Sequence, residues 1–273
     1  MPTRRPWPRL KPCITNAGTH PSKLLDTQSS NSKAQGHLTG AHRQNGEEIK
    51  LAPFSLTLES FDMDLIQSLQ WRYATKKMDS TQSVSAEKVD RILEAIRLTA
   101  TSSGLQPYEI LLVTKPEIRA QIQAIANNQA QITEGSHLLV FAAWDDYTPE
   151  RINMMFDYTN KVRGFTTESG DAYRAMLLKN YPARGPEANF QHAAKQSYIG
   201  LGTALIAAAE QQVDATPMEG FDAKACDKIL NLSARGLRST VLLPLGYRDA
   251  ANDWLAKLPK VRRDKAQFIT EIS

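Results

Sequence analysis

At 273 residues and 41% hydrophobic content, the chain has material for one large globular domain or two small ones. Its longest strongly apolar runs, such as Ala204–Ala209, fall far short of the roughly 20 residues a membrane helix requires, so no membrane partner is expected. The net charge of +4 is unevenly placed: residues 1–50 carry a surplus of +5 and residues 51–273 sum to −1, and a near-neutral body argues against nucleic acid as a partner. Cys13 and Cys226, the only cysteines, make no disulfide framework and suit a reducing, cytoplasmic setting. The five histidines show no paired ligand spacing, so no metal is expected.

Residues 1–62 lack a sustained apolar period and are rich in Ser, Asn, Gln, His, Pro and Gly. Such a segment buries too little surface to offset its ordering entropy, so disorder is the default reading. Being basic and acid-poor, it is also compatible with organelle targeting, although no Arg-rich amphipathic helix marks it. A third reading places the start of translation at Met63. The domain is therefore expected over residues 63–273.

Within it, a first helical segment ends near Arg72. Ser85 is set to cap a helix whose Val89, Ile92, Leu93 and Ile96 share one face. Thr101–Gly104 reads as a polar turn and Glu109–Thr114 as a strand. Pro116 fits the first position of a helix carrying Ile118, Ile122 and Ile125. His137–Trp144, nearly all apolar, reads as a central strand. Residues 145–190 hold two helical patterns, with breaks expected at Gly164, Gly170, Pro182 and Pro186, and read as a variable lid. Ala188–Gln212 is a long helix rich in small residues, implying close packing on a neighbouring helix or subunit. Asp222 is set to cap a following helix, Ser239–Tyr247 reads as a strand, and the tail after Leu258 need not pack on its own body.

Gly200-Leu201-Gly202 is not a dinucleotide fingerprint, because Leu205 stands where the third glycine belongs and the pair falls inside a helix. Other clusters carry more chemistry. Arg72-Tyr73-Ala74-Thr75-Lys76 sets two cations, a phenol and a hydroxyl at an element boundary. Lys260 and Arg262 share one side of an extended chain. Pro217-Met218-Glu219-Gly220-Phe221-Asp222 lies between two helices as a loop whose N–H groups can face a ligand. Taken singly, the basic clusters read as solvated helix ends and Ser102, Ser103 and Gln106 as turn residues satisfying their own backbone.

Their order along the chain is more specific. Arg-x-x-Thr-Lys, Ser-Ser-x-x-Gln-Pro-aromatic, Asn128 and Gln131 ahead of Ser136-His137, Pro-Met-Glu-Gly-Phe-Asp, and Leu-Pro-Lys-x-Arg follow one another with compatible spacing. The chain resembles the FMN-dependent nitroreductase family, in its oxygen-insensitive NAD(P)H nitroreductase and dihydropteridine reductase branch, from about Met63 to the C-terminus. Family members commonly begin about nine residues before the arginine, which favours the start at Met63.

The resemblance implies an α+β fold, a mostly antiparallel sheet flanked by helices, in an intertwined homodimer with two FMN sites at the subunit interface and C-terminal arms that cross over. It implies that Arg72, Lys260 and Arg262 hold the FMN phosphate and that Lys76 lies near the N1–C2=O edge, where negative charge develops on hydride arrival. Glu219 and Gly220 would present backbone N–H toward N5, within a loop contact that includes Pro217 and Met218. Tyr73, Ala74 and Thr75 would complete the early contact, Ser102 would touch the ribityl chain or ring, and Asn128 and Gln131 would lie by the pyrimidine. The implied activity is ping-pong: NADPH or NADH reduces FMN, and a nitroaromatic, quinone or related small-molecule acceptor then takes two electrons. No side chain is assigned as catalytic, the Glu219 carboxylate is a bystander, and His137 and His192 are read as structural. Dihydropteridine or enone reduction, dehalogenation, and a non-catalytic flavin-binding role are the alternatives. Two positions depart from better-known members, which often carry a lysine at Gln131 and a histidine at Tyr73. Gln131→Lys is therefore expected to raise the potential of the bound flavin; a fall in that potential would contradict the reading.

Overall fold

The computed structural model describes residues 64–273. The expectations for residues 1–62 and for a start at Met63 lie outside the described residues. Helix α1 (Leu65–Trp71) ends where Arg72 returns its N–H to the Ser68 carbonyl. Helix α2 (Ala86–Arg97) is capped by Ser85, whose side chain accepts from the Lys88 N–H, and it buries Val89, Ile92 and Ile96 as their spacing predicts. Strand β1 (Tyr108–Val113), helix α3 (Pro116–Ala124), the short α4 (Gln131–Glu134) and strand β2 (His137–Trp144) follow. The segment read above as a lid forms α5 (Pro149–Arg163) and α6 (Glu168–Asn180). Helix α7 (Pro186–Glu210), strand β3 (Asp214–Ala215), helix α8 (Ala223–Ile229), strand β4 (Leu237–Gly246) and a final turn of helix, α9 (Lys265–Phe268), complete the order.

Gly164 ends α5 in a left-handed conformation, as expected of a helix-terminating glycine. Gly170 does not break the chain. It occupies the first turn of α6, where its N–H is taken up by the capping Thr167 hydroxyl, and that bond offsets the poor helix propensity of glycine at this position.

The sheet has the order β1-β2-β4-β3 and is antiparallel throughout. Antiparallel strands commonly alternate apolar and polar residues, whereas β2 is apolar almost end to end because both its faces are covered. Leu139 and Phe141 pack with Val241, Leu243 and Leu245 against α2 and α7. Leu138 and Val140 point the other way, with Leu242, onto Ile122, Ile132 and Cys226 of α3, α4 and α8. These β2 residues are wholly buried, and each large side chain contributes about 1.5–3 kcal/mol by leaving water. Beyond this two-sided core, Trp144, Tyr147, Leu177 and Tyr181 pack the end of β2 against α5 and α6.

The register between β2 and β4 slips by one residue: Phe141 faces Val241 while Ala142 faces Ser239, leaving Thr240 as the extra residue of a β-bulge. The small residues of α7 permit close packing on the sheet, and Gly200 shows how close. A Cβ there would come within 2.5 Å of the Tyr108 hydroxyl oxygen. Gly200→Ala is expected to lower stability by about 1–3 kcal/mol in chemical denaturation, from overpacking. Tyr108→Phe in the same chain should recover part of that loss.

Candidate functional site

The segment Arg72–Lys76 leaves α1 and is fixed from several directions. The Thr75 hydroxyl, fully buried, donates to Asp214 Oδ1 at 3.0 Å, and the Thr75 carbonyl accepts from Thr216 Oγ1 at 2.8 Å and Gln131 Nε2 at 3.1 Å. Asp253, also buried, accepts from the Tyr73 hydroxyl at 2.9 Å and from the backbone N–H groups of Lys76 at 2.8 Å and Leu255 at 2.8 Å. Burial works against ionisation of Asp253, but its hydrogen bonds outweigh it and hold the carboxyl below the usual range. Burial and the bond to Asp253 push the Tyr73 phenol up, so it is a committed neutral donor. Tyr73 and Thr75 thus spend their hydroxyls on fixing the segment, and Gln131 spends its amide on the same task.

Beside this segment opens a cleft of about 450 Å³ lined by Arg72, Tyr73, Ala74, Arg248, Pro259, Lys260 and Arg262, among others. The cations predicted from opposite ends of the chain therefore meet, and Arg248 joins them. Its guanidinium grips Asp214 through Nε at 2.9 Å and Nη2 at 2.6 Å, and lies over the rings of Trp71 and Tyr73 at 4.1 and 4.6 Å. Lys260 Nζ donates to the carbonyls of Leu69, at 2.5 Å, and of Arg72, taking up acceptors at the end of α1. The residues just after Leu258 therefore pack on the body of their own chain, because α1 ends in free carbonyls that a cation satisfies.

Asp214 is committed to Arg248 and Thr75, which leaves the other cations without a carboxylate in ion-pair contact among the described residues. Burial lowers the Lys260 pKa, and Arg72, Arg262 and Arg248 lower it further. Arg72 is lowered by burial and by Arg262, with Asp214 opposing. This mutual repulsion is relieved by an anion, and a phosphate group suits the guanidinium forks.

The second part of the site is the 217–222 loop. Met218 exchanges both backbone hydrogen bonds with Leu242 of β4, at 2.9 and 3.0 Å. The Gly220 carbonyl accepts from Asn127 Nδ2 at 3.1 Å and Gln129 Nε2 at 3.3 Å, and a Cβ on Gly220 would stand 3.0 Å from that Asn127 nitrogen. The Glu219 carboxylate accepts from the Tyr198 hydroxyl at 2.6 Å. Asp222 caps α8 as expected, accepting from the Ala225 N–H. Among the described residues no acceptor takes the N–H of Glu219 or of Gly220, and both residues are exposed. The loop is thus held by its flanks with two donors left over.

Thr75 joins the two parts, since the carbonyl that accepts from Gln131 also accepts from Thr216, the residue before Pro217. Lys76, exposed, continues from there. Asn128 has φ +53 and an exposed side chain, and it is its neighbours Asn127 and Gln129 that reach the loop. Ser102 is not brought to the cleft: its N–H donates to Gln196 Oε1 of α7 at 2.9 Å, and it does not line the cleft. His137 pairs with Ser136 and His192 with Tyr147, in structural settings.

A profile described as the nitroreductase family matches residues 69–247. The chain belongs to the nitroreductase family. Among similar proteins, the major NAD(P)H-flavin oxidoreductase of Aliivibrio fischeri is 30% identical over 214 residues, covering 76% of this chain and 97% of that protein. An oxygen-insensitive NAD(P)H nitroreductase of Salmonella typhimurium is 28% identical over 218 residues, covering 77% of this chain and all of that one. A protein from Exiguobacterium sibiricum, described as a nitroreductase and solved in complex with FMN, superposes with a TM-score of 0.63 at 17% identity, over 77% of this chain and 98% of its own. As a nitroreductase-family protein the chain is an oxidoreductase enzyme. No helix of its described residues is long and apolar enough to cross a membrane.

Sequence reasoning missed Arg248, Asp214, Asp253 and Tyr198. The separations that join them to partners, such as 34 residues between Asp214 and Arg248 and 180 between Tyr73 and Asp253, carry no local periodicity. Asp253→Asn is expected to cost about 1.5–3 kcal/mol at neutral pH, the range for hydrogen bonds to a charged group. Because the folded pKa is depressed, that stability is present above the unfolded value near 3.9 and is lost as pH falls through the folded value. The difference between variant and parent in urea denaturation should therefore shrink below about pH 4.

Proposed function

We propose that this protein is an FMN-dependent NAD(P)H oxidoreductase that reduces small acceptors such as nitroaromatics or quinones by two electrons. The observation that carries the reading is the uncompensated cluster of Arg72, Lys260 and Arg262 in one cleft. It is joined through Thr75 to a loop with two free N–H donors. The names of the relatives support it.

The residues fit FMN. Arg72, Lys260 and Arg262 would hold the phosphate by charge-assisted bonds, with Arg248 adding positive potential while anchored on Asp214. Glu219 and Gly220 would direct their N–H groups at the ring, while Met218, Asn127 and Gln129 keep that peptide from turning away. Lys76 would set its ammonium where negative charge accumulates. Bound FMN would supply the hydride-accepting centre, which explains why no nucleophile or acid–base pair is needed.

A homodimer completes the reading. Ser102 stands away from the cleft of its own chain, as a contact contributed to a partner's cofactor would. Tyr198, Ile199 and Ile206 are exposed on α7, Leu65 and Ile66 on α1, and Val261, Phe268, Ile269 and Ile272 along the tail. β1 is an edge strand with one side unpaired. Truncation of residues 259–273 is expected to abolish the dimer in sedimentation without loss of secondary structure.

Titration of the apoprotein should show FMN binding at least 100-fold more tightly than riboflavin, about 2.7 kcal/mol. Arg72→Ala should erase most of that preference. The loaded protein should bleach with NADPH or NADH and recover its yellow colour with menadione. Binding without bleaching would leave only a flavin-binding protein, and a protein that takes up no FMN would refute the proposal.

A further inference from the structure

One exposed phenol is used in a way the site so far leaves unexplained. Tyr198 lies on α7, and its hydroxyl is 2.6 Å from Glu219 Oε1, with the Thr240 carbonyl the next acceptor at 3.4 Å. Thr240 is the extra residue of the bulge between β2 and β4, which sets its backbone out of the regular ladder. Its own hydroxyl is held by the Phe141 carbonyl at 3.1 Å and by Ser197 Oγ at 2.9 Å, the residue next to Tyr198. Hydrogen bonds thus tie the bulge residue to β2 and α7, and from the neighbouring position on α7 Tyr198 donates to the carboxylate of the loop. Burial and the bond to Glu219 push the Tyr198 phenol up, so it remains the donor across the neutral range.

We propose that Tyr198 is a positioning residue for the Glu219–Gly220 peptide, and that by donating to the Glu219 carboxylate it both fixes that peptide and weakens the field of the carboxylate at the flavin. The inference rests on FMN binding as proposed above. Three restraints act on the loop: the Met218–Leu242 bridge before it, the grip of Asn127 and Gln129 on the Gly220 carbonyl, and the Tyr198 bond between them. The third alone engages a charged group. A carboxylate beside a centre that gains electrons opposes reduction, and a short hydrogen bond to it spreads and partly offsets that charge. The Glu219 side chain is thereby more than a bystander, because its charge is held in one place by a second residue.

Tyr198→Phe keeps the ring and its packing and removes only the hydroxyl. The measurement is a double-mutant cycle of Tyr198→Phe and Glu219→Gln, reading FMN affinity and two-electron midpoint potential in the loaded protein. Tyr198→Phe is expected to lower the potential by about 30 mV, a tenfold change in the reduction equilibrium. Glu219→Gln should raise it, and Tyr198→Phe added to Glu219→Gln should change it little. An unchanged potential in Tyr198→Phe, or an equal shift with Glu219 present and absent, would overturn the inference. The parent protein failing to bind FMN would instead overturn the function proposed above. Thermal melts and dimer content of each variant separate a folding defect from the electrostatic effect. Should Tyr198→Phe fail to fold, Tyr198→His, which keeps a ring donor, must hold the potential near the parent value while Glu219→Gln raises it; a potential that Glu219→Gln leaves unchanged would overturn the inference.

Discussion

The buried carboxylate of Asp214 is the interaction on which the site depends. It sits on the two-residue edge strand β3 and is 3% exposed, a placement tolerated only because its lone pairs are filled. Arg248 fills them with a bidentate fork and a backbone N–H, and Thr75 adds a hydroxyl. One carboxylate thereby binds the segment that leaves α1 to the edge of the sheet, and spends its charge doing so. The neighbouring cations are left uncompensated in a cleft, a state that is costly alone and favourable with an anion present. Breaking such a buried pair leaves a charge without its partner, so both architecture and electrostatics rest on it.

The two halves of the site follow different physical logic. The end proposed for the phosphate works by charge: Arg72 and Lys260, half-buried, and the exposed Arg262 repel one another, a repulsion that a bound dianion would relieve. The end proposed for the ring works by geometry. There the side chains of Asn127, Gln129 and Tyr198 satisfy the polar atoms around the Glu219–Gly220 peptide and leave its N–H groups free. Thr75 is common to both, so displacement at one end should be felt at the other.

Much of the scaffold was legible in the sequence because it is written in local patterns. The Ser85 cap, the apolar face of α2, Pro116 at a helix start and the two-sided burial of β2 each follow from residues within one or two turns of one another. Gly170 misled because a glycine within reach of a threonine cap can join a helix. The cation cluster was legible only as a set of motifs in a shared order, and the segments bearing Arg72, Lys260 and Arg262 do meet. Ser102 shares no cleft with them within one chain. What no pattern revealed were the supports, Asp214, Arg248, Asp253 and Tyr198, since each acts on a segment distant in sequence through one hydrogen bond or ion pair. The bulge at Thr240 is a single-residue slip between strands whose paired residues lie 93 or more positions apart (Trp144 with Leu237), and neither strand announces it.

The central claim is that one ligand spans the cleft and the loop. A crystal structure of the protein grown with FMN tests it most directly. The account predicts the phosphate within hydrogen-bonding distance of Arg72, Lys260 and Arg262, and the ring edge bearing N5 against the Glu219–Gly220 peptide. A flavin bound with its phosphate outside that cluster, or with its ring away from residues 217–220, would contradict it.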